Sequence, residues 1–99
     1  MENLQKALML HLRRYHLVWL VRSALDDGIF EDFFGELSAD VDIKKTLEGL
    51  AWADDSARIR CAAIKRLDNG IILKEIERSS NYPAARMAAQ RRLIEIGDL

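Results

Sequence analysis

Cysteine occurs once in this chain, at Cys61, proline once, at Pro83, and glycine only five times. A lone cysteine excludes an intrachain disulfide and a cysteine-built metal cluster. A single proline leaves the backbone free to run in helices with one enforced break. Threonine and valine are scarce while Ala, Leu, Glu, Lys and Arg dominate, which favours helix over sheet. No secretory leader is evident, and the apolar run from Leu17 to Val21 is too short to span a bilayer; Arg13, Arg14 and Arg22 bracket it. A cytoplasmic protein with no membrane contact is the expectation.

Catalytic patterns are missing too. His11 and His16 are five residues apart, which sets them about 140° apart on a helix and prevents a shared metal. The acid pairs Asp26-Asp27 and Asp54-Asp55 fall at turns, where helix capping accounts for them. The GxxxxG-like spacing in the chain lacks the Lys-Ser or Lys-Thr that a phosphate loop needs. The expectation is a protein that is not an enzyme and uses no cofactor and no metal.

What is present is an ordinary soluble composition, 49% hydrophobic and 31% charged over 99 residues. That length makes one domain, 1–99, able to bury roughly 60–68% of its unfolded surface. The net charge of −1 conceals segregation. Residues 1–25 carry four bases against Glu2, residues 26–55 carry ten acids against Lys44 and Lys45, and residues 56–99 carry nine bases against five acids. The balance argues against non-specific nucleic-acid binding but allows a local basic surface.

Periodicity predicts six helices and no strand. The first runs from about Asn3 to Leu25, with Leu4, Leu8, Leu12, Tyr15 and Trp19 on one face and Leu10, Leu17 and Val21 on the next, so two of its sides should be covered. Gly28 suits a left-handed helix stop. A short aromatic helix, Ile29 to Leu37, offers Phe30, Phe33, Phe34 and Leu37 to the core. The third, Val41 to Ala53, is capped by Ser38 or Asp40 and buries Ile43, Leu47, Leu50 and Ala51. The fourth, Ala57 to Leu67, turns Ile59, Ala62, Ala63 and Leu67 inward. Asp68-Asn69-Gly70 stops it, and the fifth, Ile71 to about Arg78, buries Leu73 and Ile76. The sixth is capped by Asn81, carries Pro83 in its first turn and ends near Ile96 at Gly97. Residues 1–37 read as a capping helical hairpin and 38–99 as two helix pairs.

Those two pairs share a sequence. Displaced by 26 residues, Leu47, Arg60, Ala62, Ala63, Arg66 and Leu67 fall on Leu73, Arg86, Ala88, Ala89, Arg92 and Leu93. Leu50 falls on Ile76, Asp55 on Asn81, Lys65 on Arg91 and Cys61 on Met87, a pairing that predicts a small buried apolar side chain at Cys61. The segment DSARIRCAA from Asp55, followed by Leu67, and NYPAARMAA from Asn81, followed by Leu93, resembles a HEAT-like helical repeat of the phycobilisome-lyase type over about 41–96. The period is shorter than the roughly 40–47 residues of HEAT and armadillo units. The resemblance implies a short α-solenoid in which Arg60 and Arg86 are structural, laddered to the aspartate or asparagine of the adjoining turn.

Lys65-Arg66 and Arg91-Arg92 occupy equivalent places on the second helix of each pair. Stacked about 10 Å apart, they would form a basic stripe with Arg58 one to two turns away. The resemblance places that stripe on the concave surface where such solenoids bind partners. Two repeats cannot cover both of their own ends, which leaves room for a homodimer or a docking partner. The expected function is a small adaptor, inhibitor or regulator that binds an acidic protein surface through Arg58, Lys65, Arg66, Arg91 and Arg92. The alternative is a nucleic-acid binder using the same stripe.

Overall fold

The computed structural model describes residues 16–37 and 39–98. Among them every regular element is helical: α1 (Leu17–Asp27), α2 (Phe30–Phe34) with a 3-10 turn (Gly35–Leu37), α3 (Val41–Ala53), α4 (Ala57–Ile64), α5 (Gly70–Ser79) and α6 (Pro83–Glu95). The all-α expectation holds there. The expected helix start near Asn3, the stripe from Leu4 to Tyr15, His11 and the Ser38 cap lie outside the described residues. No helix among the described residues is long and apolar enough to cross a membrane. The chain divides into two compact units, Met1–Thr46 and Leu47–Leu99, with the boundary inside α3.

In the first unit, α1 buries Leu17, Val21, Ala24 and Leu25. That i, i+4, i+7, i+8 spacing is a single stripe. Trp19 stands 66% exposed, so its expected place on a covered face is overturned. The helix runs two residues past Leu25. Gly28, at φ +73, then lets its own N–H donate to the Leu25 carbonyl and that of Ile29 to the Ala24 carbonyl, a Schellman closure. In α2, Phe30 and Phe34 are buried with ring centroids 5.4 Å apart, whereas Phe33 is 67% exposed, correcting its assignment to the core. Asp40 is the cap of α3: its Oδ1 accepts from the N–H groups of Asp42 at 2.9 Å and Ile43 at 3.2 Å.

In the second unit, Ser56 caps α4 by accepting from the Ile59 N–H at 3.3 Å. Ile59, Ala63, Ile64 and Leu67 are buried, but Ala62 is only half-buried. Helix α4 ends at Ile64, three residues early. The N–H groups of Arg66 and Leu67 reach back three residues to Ala63 and Ile64, tightening the chain into a turn. The triplet Asp68-Asn69-Gly70 starts a helix instead of ending one, since α4 has already stopped at Ile64 and Asn69 Oδ1 accepts from the N–H groups of Ile71 and Ile72. Helix α6 packs most closely on α5 and next on α4. Small residues permit this: Ala85 and Ala89 are fully buried on it, as is Leu93, with Leu73 and Ile76 contributed by α5. Each such large side chain contributes about 1.5–3 kcal/mol by leaving water. The cap position of α6 is held by Tyr82 rather than Asn81; it offers no side-chain cap, and its own N–H donates to Ser80 Oγ at 3.2 Å. A second Schellman closure ends α6, with the N–H of Gly97, at φ +75, on Ile94 and that of Asp98 on Leu93. The expected burial at the Cys61 position is not found: Cys61 is half-buried and Met87 is 61% exposed.

Candidate functional site

Arg60 and Arg86, which correspond at the 26-residue offset, fix the turns that precede α4 and α6. Arg60 Nη1 donates to the Asp54 carbonyl at 2.6 Å, and Arg86 Nη1 donates to the Ser80 carbonyl at 2.7 Å, six residues back in both cases. Asp54 and Ser80 are themselves equivalent. Asp54 Oδ1 accepts from the Ser56 N–H, just as Ser80 Oγ accepts from that of Tyr82. Each arginine thus pins the turn before its own helix. The acceptor is a main-chain carbonyl, not the side chain of Asp55 or Asn81 that the resemblance implied.

Arg60 does more than Arg86. It is only 6% exposed, and its guanidinium carbon lies 3.5 Å from the centroid of the Tyr82 ring, which belongs to the turn of the second copy. A desolvated cation over an aromatic face is stabilising by up to about 2 kcal/mol. That contact offsets the cost of Arg60 Nε, which is buried with no acceptor among the described residues. Tyr82 as a partner was not singled out from the sequence, although it stands where the first copy has the capping Ser56.

The expected basic stripe divides in two. Arg66 Nη1 donates to the Ala62 carbonyl at 2.7 Å, and Arg92 Nε donates to the Leu67 carbonyl at 2.8 Å, so both satisfy carbonyls left over where α4 ends. Arg92 Nη1 also lies 3.7 Å from Glu95 Oε1. Lys65 and Arg91 are exposed, and neither side chain has a hydrogen bond or ion pair among the described residues. The structure brings Lys65, Arg91 and Arg92 together with Ala88 and Glu95 around a depression of about 180 Å³. Arg58 and Arg66 do not line it. Lys65 sits in the turn after α4, not within a helix as expected, whereas Arg91 lies inside α6. Glu95, unmarked in the sequence reading, follows Arg91 by four residues and Arg92 by three, a spacing that places its carboxylate within reach of each of them.

Three bases and one carboxylate make the depression formally +2, with two charges uncommitted. At the surface each charge attracts an anion by about 1 kcal/mol at 4 Å. Such a site selects for negative charge and weakens in salt. It offers no acid–base pair, no nucleophile beside a base, and no carboxylate cluster. Among the described residues no group of three His, Cys, Asp or Glu side chains could hold a metal ion. Comparison with family models, with curated proteins and with solved structures returns no match.

Proposed function

We propose that this chain is a small non-catalytic interaction module, a short HEAT-like α-solenoid acting as adaptor, inhibitor or regulator by binding an acidic segment of a protein. The observation that carries the reading is the convergence of Lys65 and Arg91, equivalent residues of the two copies, on one depression with their charges unspent. The matching bonds of Arg60 and Arg86 support the repeat on which that equivalence rests. Arg92 frames the depression while holding the Leu67 carbonyl.

Magnitude favours protein over nucleic acid. Two free cations would release counterions for about two phosphates, far short of the roughly six to ten contacts made by a duplex binder. Affinity capture from the source cells tests the reading, comparing the wild type, Lys65→Glu/Arg91→Glu, and an Arg78→Glu control on α5. A captured protein retained by the control and lost from the double variant is expected. Equal retention by all three removes the surface from consideration. Binding to a labelled DNA duplex at low salt with a steep salt slope would replace the reading with the nucleic-acid alternative.

A further inference from the structure

Beyond its charge, the basic face has an apolar frame. Met87, Arg91 and Ile94 recur at i, i+4 and i+7 along α6 and therefore share one side of it. Met87 and Ile94 are each 61% exposed. Lys65 lines the same depression as Arg91. The face thus presents two free cations flanked by two large apolar side chains, and its complement is an acidic segment bearing one large apolar group.

The chain itself contains that complement. Between Asp26 and Leu37 there are five acids and no base. Within this stretch Asp32 and Glu36 are exposed, and Phe33 projects beside them. The Phe33 ring centroid lies 6.4 Å from that of buried Phe34, which in turn lies 5.4 Å from that of buried Phe30. A large aromatic exposed on the surface beside charged groups is the kind of side chain that anchors small interfaces. Phenylalanine against methionine adds a favourable sulfur–ring contact.

We infer that the basic face of one copy receives the Asp32–Glu36 segment of a second copy, with Phe33 seated by Met87 and Ile94, and Asp32 and Glu36 against Lys65 and Arg91. The inference rests on the surface assigned under the proposed function and names its occupant. A contact of this size belongs to the weak class of protein association, and its charged component is sensitive to salt.

Sedimentation equilibrium of the full chain decides it. At low salt the weight-average mass climbs above the 11.3 kDa of the monomer as concentration rises. In 1 M salt, where the Debye length is about 3 Å, it returns towards the monomer. Lys65→Glu/Arg91→Glu alone and Asp32→Lys/Glu36→Lys alone each stay monomeric, with unchanged helical circular dichroism, while an equimolar mixture of the two associates again. Phe33→Ala weakens wild-type association at least tenfold. A wild type that stays monomeric at low salt overturns the inference, as does association that both charge reversals leave intact, or a mixture that remains monomeric. A chain monomeric throughout, yet capturing a protein through Lys65 and Arg91, overturns only the self-recognition and leaves the surface in place.

Discussion

At Arg60 and Arg86 the two copies of the repeat do the same thing; at Arg66 and Arg92 they do not. The first pair each bond the carbonyl six residues back, inside their own turn. Of the second pair, Arg66 stays within its own copy at Ala62, while Arg92 crosses to Leu67 of the other. Ile64 is fully buried and its counterpart Gln90 is exposed, whereas Ala63 and Ala89 are equally buried. Features settled inside one turn recur with the sequence. Features settled by what lies alongside do not, because the two copies have different neighbours.

Equivalent core side chains should differ most in what their loss costs. Leu93→Ala is expected to cost roughly 3 kcal/mol or more and Leu67→Ala about 2 kcal/mol, read from chemical denaturation. Leu93 is held in a helix packed on two others, so the cavity cannot collapse; Leu67 lies in a turn that can relax. Equal losses would mean that the turn is as rigid as the helix.

Arg60→Ala should lose about 2 kcal/mol, as a charged hydrogen bond and a ring contact both go. Arg86→Ala should lose about 1 kcal/mol, since it keeps only the bond to Ser80 and is half-exposed. A double-mutant cycle between Arg60→Ala and Tyr82→Ala should give a coupling of about 1 kcal/mol; no coupling would show the stack to be mere proximity.

Capping separates the copies on a finer scale. Ser56→Ala should cost about 1 kcal/mol, and Tyr82→Phe, at the equivalent position, almost nothing, because Tyr82 caps with no side-chain oxygen. Gly70→Ala has an effect of the same small order. An added Cβ would meet the Asp98 carboxylate, yet that side chain is 47% exposed and can swing aside, giving up its pairing with Lys74 at 3.7 Å. A change within about 0.5 kcal/mol is expected, as for surface sites generally.

The same division explains what could be read from the sequence. Gly28, Asp40 as one of two offered caps, and the bounds of α3 were legible because caps and stops act over three or four residues. Trp19 and Phe33 were misplaced because a helical wheel groups apolar residues by face but does not say which face a neighbour covers. The early end of α4 escaped notice because Lys65 and Arg66 are good helix formers, and the stop lies in the tightened bonds of the following turn. For the site, the equivalence of Lys65 and Arg91 was visible in the repeat. The withdrawal of Arg66 and Arg92 to backbone carbonyls was not, since it depends on where the carbonyls of Ala62 in α4 and of Leu67 in the turn after it fall in space.

The stack of Arg60 on Tyr82 joins one turn to the next, and Arg86 adopts the same bond to its own turn with no ring above it among the described residues. The stack therefore ties the spacing of the two turns to the length of chain between them: an insertion or deletion between Arg60 and Tyr82 would carry the ring away from the guanidinium and loosen both turns together.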